Sequence, residues 1–591
     1  MSVCLPVGQC LAPRRTEAID VYRVAEIGLT ALLVLACAIP LALNLVDPDL
    51  WGHVRYGEDW LDAGALPRTA THTFTAEGHP WINHENLAEL LFAAGFRNLS
   101  IQGMLVLKCL GGLALLGSMA WFAGRQGVSR MTVWALMLLV AENLQAFFPM
   151  RPQLLSFALL GAVLACLECG FRQWHAERRI DFRWLLPLPP LFAVWANAHG
   201  VFLAGLAIVG ALLAGRMVEL AWSRGRDGWP DQLRLALVGL ACVAATLLNP
   251  YGWNLHLWLK YSLTMPRPEI TEWAAPAPGD PVFGRYLLLL ATAAASWWGT
   301  RRQRDWVQIA VFCLVAWQAF LHLRNIAIVA ILAGYWLPPH FASAASRLRP
   351  QGLALPTALP SRPLRRLLAA VVLGGVALQS FALSDRLREF PVARDQYPVD
   401  ALQYMVDRGL QGKLVVCFNW AQYALAALAP HSQVQFDGRF DTCYPREVMD
   451  LHFDFLLGEH GGKRFRGAAS GPIDPRKTLV HGEPDLILLD RSYPIPVQVL
   501  EQEAAREQPA WTLLYRDPTA ELWGRASRYD DPQSPCYLPV AERSLHTRLA
   551  PARFDFPALP DYQLWHARQR RDAAPANAVD PAAGVAAGRV D

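Results

Sequence analysis

The chain has 591 residues, of which 53% are hydrophobic and 18% charged, and its 54 basic and 50 acidic side chains leave a formal charge of +4. Charged residues make up roughly 25% of ordinary soluble domains. The shortfall here, with a mean hydropathy of +0.20, excludes a disordered chain and argues against a single soluble domain. A charge of +4 is too small to point to nucleic acid as a partner, and 22 tryptophans suit rings placed at membrane–water boundaries.

A spanning helix needs about 20 mostly apolar residues. About eleven stretches qualify: 24–46, 100–122, 131–149, 152–170, 184–198, 200–222, 233–249, 283–299, 306–322, 325–339 and 366–383. The fifth is short and holds Pro187, Pro189 and Pro190, which suits a broken or tilted span. The first is long enough to span and runs directly into Asp47, so it reads as a span and not as a cleavable signal.

Arginines fix an orientation. Arg14, Arg15 and Arg23 precede the first span, Arg125 and Arg130 follow the second, and Arg172, Arg178, Arg179 and Arg183 follow the fourth. Arg224 and Arg226 follow the sixth, Arg301, Arg302 and Arg304 the eighth, and Arg347, Arg349, Arg362, Arg365 and Arg366 precede the last. With eleven alternating spans all fall on one side, which the positive-inside rule makes cytoplasmic. The expected fold is a polytopic α-helical membrane bundle over residues 1–383, N-terminus in and C-terminus out, with outer loops at 47–99 and 250–282.

The loop 47–99 opens with Asp47-Pro48-Asp49-Leu50-Trp51-Gly52-His53 where a span ends. Carboxylates at a lipid–water boundary are desolvated, which raises their pKa and makes them better bases. Asp47, Asp49 and His53 are also candidate ligands for a divalent ion, Mg2+ or Mn2+. The plainer alternative is an Asp-Pro turn with Asp49 capping a helix over 50–61. Further on, Glu85 and Glu89 share one face of an expected helix 84–97, and with His84 and His53 they could ligate a metal; a solvated interfacial face is the competing reading.

Polar groups in or at the ends of spans need a purpose or a partner. Glu142-Asn143 lies in the third span, Arg151 between the third and fourth, Asn197 to Gly200 between the fifth and sixth, and His322 to Asn325 between the ninth and tenth. Arg151 and Arg324 are candidates to hold a lipid phosphate, with His199 and His322 beside them; a Glu142–Arg151 pair is the alternative. The loop 250–282 carries Asn249 to Gly252 and Arg267 to Trp273, aromatic and acidic stretches that suit a sugar or headgroup surface as well as a cap on the bundle.

Residues 384–526 alternate helix-like and strand-like stretches: Val399–Arg408, Lys413–Cys417, Trp420–Leu428, Ser432–Phe436, Arg446–Leu457, Asp485–Asp490, Val497–Arg506, Trp511–Tyr515 and Ala520–Gly524. They predict a small extracytoplasmic α/β domain. The segment 458–471 reads as a mobile loop, and 527–591 as a largely disordered tail rich in Pro, Ala and Arg. Cys417 and Cys443 are compatible with a disulfide or with two separate thiols; Cys166 and Cys169 lack a second pair at zinc spacing.

The Asp-Pro-Asp after the first span, the long first outer loop with its Pro80-Trp81 and Glu85, and the multispan body with a C-terminal domain resemble the GT-C superfamily of polytopic glycosyltransferases. The likeness runs over about residues 24–525. It is carried further by Arg151-Pro152-Gln153, Trp195 to Gly200, Leu248 to Gly252, Arg267 to Trp273 and Asp437-Gly438-Arg439, which resemble phrases of a set of bacterial membrane proteins near that superfamily. The adjacent Asp-Glu pair of its mannosyltransferases and the Trp-Trp-Asp run of its oligosaccharyltransferases are absent.

The resemblance implies an inverting transferase of a bacterial inner membrane, moving a sugar from a polyprenyl-phosphate lipid to an envelope glycan, lipid or protein acceptor. It places a catalytic acid on the first outer loop, at Asp47 or Asp49, with Glu85 positioning the acceptor or a divalent ion. Two other classes stay open: a non-catalytic scaffold for envelope assembly, and a transporter of lipid-linked sugar.

Overall fold

The computed structural model describes residues 13–172, 174, 179–348, 361–461, 464–563 and 565–566. They form two compact units. The first takes residues up to Arg68, Pro80–Pro391 and Gly461–Arg466; the second takes Thr69–His79, Val392–His460 and the chain from Gly467 on.

The first unit is helical, and each of the eleven apolar stretches carries a helix. Five are long and apolar enough to cross a membrane: Arg23–Leu41, Ile101–Arg125, Gln153–Gly170, Phe202–Ala245 and Pro363–Arg388. A sixth is added if Leu323–Trp336 and Pro338–Arg347, which meet at 66°, count as one span. The other expected spans are shorter or less apolar, among them Arg130–Leu144, Leu188–Ala198 and Trp306–Leu321. The sixth and seventh join through the tight turn Gly225–Gly228. Length and composition thus support a multi-pass membrane protein with five or six such helices among the described residues. The proline-rich fifth stretch is helical only from Leu188, with prolines in its first turn, where the missing N–H costs nothing.

Ile326–Trp336 is buried at every position and packs against Ile101–Arg125, Arg130–Leu144, Gln153–Gly170 and Trp306–Leu321. A helix apolar all round belongs in such a centre.

In the second unit a six-stranded sheet has the order β3-β2-β4-β6-β5-β7, with β2 Gly412–Val416, β3 Ser432–Val434, β4 Leu486–Asp490, β5 Trp511–Arg516, β6 Ala520–Arg525 and β7 Ser544–Leu545. β2 runs parallel to β3 and β4, and β6 antiparallel to β4 and β5. Helices Phe418–Leu428, Arg446–Leu457 and Pro494–Ala504 lie within two or three residues of the stretches read from the sequence.

Three expectations change here. The stretch after 526 is ordered well past that point: β7 pairs with β5, β8 (Arg553–Asp555) pairs with β1 (Pro391–Ala393), and Tyr529, Leu538, Phe556 and Trp565 are buried. Scattered large apolar side chains gave it enough surface to bury despite its composition. The low-complexity part, 573–591, lies outside the described residues. Within 458–471, the Gly467 amide and the Ser470 hydroxyl donate to Asp450 at 2.7 and 2.6 Å, which anchors that end of the expected loop. Finally, residues 69–79 of the first long loop belong to the second unit, where Thr73 bridges Val434 beside β3.

That last contact is held by Asp437 and Arg439. Asp437 accepts from Arg439 at 2.7 and 2.9 Å and from the Tyr444 hydroxyl at 2.6 Å, and Arg439 donates to the Thr71 carbonyl at 2.6 Å. Burial works against the Asp437 charge, but Arg439 and these hydrogen bonds outweigh it and hold its pKa below the usual carboxylate range. Asp437-Gly438-Arg439 is a structural latch. Cys417 and Cys443 are buried free thiols.

Candidate active site

The polar junctions of the helical unit converge at one end of the bundle. Asp47 and Asp49 lie between Pro13–Leu41 and Leu50–Ala63; His84 and Glu85 directly precede Asn86–Asn98. Arg151 precedes Gln153–Gly170, His199 ends Leu188–Ala198, and His322 and Arg324 connect Trp306–Leu321 to Ile326–Trp336. Apolar stretches leave polar residues to the turns, so turns at one end of a bundle collect them.

Arg151 is the hub. Its Nε stands 2.5 Å from Asp47 Oδ2, its Nη2 3.1 Å from Asp49 Oδ2 and its Nη1 2.6 Å from Glu272 Oε1. Burial disfavours the guanidinium charge, but the three carboxylates outweigh it and raise its pKa further. This revises two expectations. The cation expected to receive phosphate already carries three acids, and Glu142 pairs with Arg285 at 3.3 Å instead of with Arg151. Asp49 occupies the N-cap position of Leu50–Ala63, but its side chain makes no cap bond. The Asp49 amide instead donates to Asp47 Oδ1 at 3.0 Å, closing the Asp-Pro-Asp turn.

Beside the hub lies an acid–imidazole cluster. Helices Leu50–Ala63 and Asn86–Asn98 cross at Gly57, where a Cβ would overlap the Glu89 carbonyl oxygen. That close crossing puts His53 Nδ1 3.5 Å from Glu89 Oε1 and 4.0 Å from Glu85 Oε2. Glu89 is 3% exposed and accepts from Asn83 Nδ2 at 2.5 Å, so it does not sit on a solvated face. Glu85 Oε1 also lies 3.5 Å from His199 Nε2 and 3.8 Å from His84 Nε2. Gly200 makes room there: a Cβ would stand 3.1 Å from His84 Cδ2.

The four groups are tuned apart. Burial pushes Glu85 up to about 7, with Glu89 and Asp49 adding to it and His53 and Arg151 opposing. Burial pulls His53 down, but Glu89 and Glu85 overcome it and push it up to about 9. Burial and nearby cationic groups hold His84 down to about 3 and His199 well below the imidazole range. At neutral pH His53 is therefore cationic, while His84 and His199 are neutral. Trp195 donates to the Ser156 hydroxyl at 2.8 Å, and Ser156 stands 3.0 Å from His199 Nδ1. In the tautomer that uses each group once, Ser156 donates to Nδ1 and the His199 proton sits on Nε2, facing Glu85.

Two further guanidiniums adjoin. The Arg324 and Arg267 guanidiniums lie 4.9 and 4.7 Å from the centre of the Trp273 ring, and His322 Nδ1 is 2.8 Å from the Trp273 carbonyl. Arg324 forms no ion pair among the described residues. Burial and the charges of Arg267 and Arg151 pull its pKa down, against Glu272. His53, Glu85 and Glu89 gather donor atoms within 4.8 Å of one another and are a metal-type set; it takes three of the group His53, His84, Glu85 and Glu89 read from the sequence, and neither Asp47 nor Asp49.

No family model matches the chain, and no curated protein matches it. The chain is similar to ArnT from Cupriavidus metallidurans. The likeness is to a crystal structure of that protein bound to undecaprenyl phosphate; it covers 89% of this chain and 99% of that one, with 13% sequence identity and a TM-score of 0.49. At that identity and score it assigns no residue a role.

Sequence reading found most of the members of this site but not their pairings. Glu272 stands in the Arg267 to Trp273 stretch, yet nothing local marks it as the partner of Arg151, 121 positions away. Glu89 read as half of a helix face, and its burial follows only from the crossing at Gly57.

Proposed function

We propose that the protein is a membrane glycosyltransferase whose donor is a polyprenyl-phosphate sugar. The observation that carries the reading is a half-buried carboxyl group, Glu85, with a pKa of about 7, set among imidazoles and beside the Arg324 guanidinium. A base is most effective when its pKa lies near the operating pH. Glu85 would take the proton of an acceptor hydroxyl while that oxygen bonds to the anomeric carbon. The sugar–phosphate bond would break on the opposite side, and its electron pair would leave on the phosphate oxygen, stabilised by Arg324 and Arg267.

In this reading Asp47, Asp49 and Glu272 keep the Arg151 hub in place; Asp49 stays the second candidate for the base. His322 and Trp273 set the position of Arg324. His53, Glu85 and Glu89 would be the ligands of a divalent ion where one is bound, and the step above does not depend on it. The lipid is of the kind named for the ArnT structure, but the proposal stands on the geometry of this site and on the sequence resemblance to GT-C enzymes. An inner-membrane location with the second unit outside follows from the arginine pattern, and the acceptor would be a component of the envelope.

The test is mass spectrometry of lipid that co-purifies with the protein extracted in its native membrane. A polyprenyl phosphate, with or without sugar, is expected in wild type and in Glu85→Gln, and is expected to be lost from Arg267→Ala/Arg324→Ala. Bulk phospholipid alone in all three would overturn the donor assignment and favour a scaffold.

A further inference from the structure

The helical unit has a second polar region, at the opposite end of the same helices. Arg151 precedes Gln153–Gly170 and Arg172 follows it; 18 residues of helix separate the two ends by about 27 Å. At the Arg172 end a cavity of about 1200 Å³ opens, with Arg125, Arg172, Arg179 and Arg302 among its exposed lining residues. Arg125 ends Ile101–Arg125, Arg172 and Arg179 follow Gln153–Gly170, and Arg302 follows Pro281–Gly299, so three segments far apart in sequence supply them. Deeper in, the wall carries an apolar and aromatic patch of Phe122, Leu164, Leu167, Leu212 and Trp336 beside the polar side chains of Glu168, Arg216, Asp305 and Gln308.

The charges of this cavity are not balanced from within. Asp181 pairs with Arg183 at 3.0 Å, and Asp305 accepts from buried Arg216 at 3.1 Å. Glu168 is held by Gln308 and Trp336 at 3.0 and 3.1 Å. The Arg125 guanidinium lies over the Trp121 ring, 4.9 Å from its centre, and Arg302 donates to a backbone carbonyl; among the described residues neither these two nor Arg172 has an acidic partner. Arg216 is 2% exposed and its Nε has no hydrogen-bond partner among the described residues.

The surroundings identify the medium. Trp121, Trp184, Trp222, Trp229, Trp298 and Trp306 all stand exposed, and each lies at or near this end of its helix or connection. Exposed indoles at one level mark the membrane–water boundary. The cavity therefore opens at headgroup depth, with guanidiniums at its mouth and an apolar patch beside paired polar groups inside.

We propose that this cavity binds the phosphate headgroup of an anionic membrane lipid, the headgroup at Arg125, Arg172 and Arg302 and the first part of the chains against the apolar patch. Planar guanidiniums match phosphate oxygens, and a neutral zwitterionic lipid would leave the surplus charge uncompensated. The site is separate from the acid–imidazole cluster and does not depend on the activity proposed for it.

The test is native mass spectrometry of the purified protein in neutral detergent, titrated with dioleoyl phosphatidylglycerol or dioleoyl phosphatidylcholine. Phosphatidylglycerol is expected to bind about tenfold more tightly, and Arg125→Gln/Arg172→Gln to remove most of that preference. Arg226→Gln/Arg347→Gln, which removes two exposed charges outside the cavity, and Arg267→Gln/Arg324→Gln at the other end should keep it. Equal binding of both lipids, or an unchanged preference in the folded cavity variant, would overturn the site. A third arm adds inorganic phosphate: if it displaces the lipid and its own binding shows the same loss in the cavity variant, the ligand is the free anion and the lipid assignment falls.

Discussion

At Glu85, burial and the Glu89 and Asp49 charges push one carboxyl group towards a pKa of about 7, while His53 and Arg151 pull it back. A base is active only when deprotonated, so sugar transfer should fall as pH drops through about 7. Removing the His53 charge removes one of the groups that hold Glu85 down. His53→Gln should therefore move the acidic limb of the pH–rate profile to higher pH. Glu85→Gln should cost about 10²-fold or more in rate, the usual worth of a positioned base. An Asp49→Asn variant that loses as much while Glu85→Gln keeps activity would move the base to Asp49. Polyprenyl phosphate released from a polyprenyl-phosphate sugar is the readout for all three.

Arg151 makes a different prediction at the same scale. Asp47 is 7% exposed, and its charge is compensated by this guanidinium. Arg151→Gln should destabilise the protein by about 3–5 kcal/mol, the cost of leaving a buried charge without its partner. Adding Asp47→Asn should recover part of that loss in thermal unfolding, because the neutral amide needs no cation.

At the scale of elements, two crossings decide the arrangement. Gly57 lets Leu50–Ala63 approach Asn86–Asn98 closely enough for His53 to reach Glu89. In the second unit, Arg439 ties the Thr71 carbonyl to Asp437 beside β3. Arg439→Gln should release 69–79, making it the first site of limited proteolysis, with a loss of about 3 kcal/mol or more. Asp437 is held below its unfolded pKa, so its contribution to stability is present above that unfolded value and is lost as pH falls through the folded one. The Arg439→Gln variant should therefore lose less stability than wild type on acidification. The helices and strands themselves were largely legible, because hydrophobic period and turn residues are local. The latch was not: Asp437-Gly438-Arg439 is a visible phrase, but its partner segment lies 368 positions earlier.

At the scale of the whole molecule, residues 69–79 belong to the same unit as the C-terminal sheet, through a bridge from Thr73 to Val434. Arg125, Arg172, Arg179 and Arg302 gather around a cavity at the Arg172 end of the bundle. Single cysteines introduced as Glu77→Cys and Gln533→Cys should react with a membrane-impermeant maleimide from the same side, and Arg301→Cys from the other. Labelling of Arg301→Cys from the same side as Glu77→Cys would overturn the orientation.

What the sequence by itself determined about this protein is whatever depends on neighbours along the chain. Apolar runs specify helices, and alternating short elements after residue 384 specify an α/β sheet. The polar turns also announced Asp47, Asp49, Glu85, Arg151, His199, His322 and Arg324 as groups at helix ends. Only the tertiary structure decided what each of them does there. It gave Arg151 to three carboxylates, left Arg324 without an ion pair among the described residues, set Glu85 among three imidazoles, and drew 69–79 into the second unit. A charge's role follows from which opposite charge reaches it and how much water is removed. Both are set by packing between segments far apart in the chain.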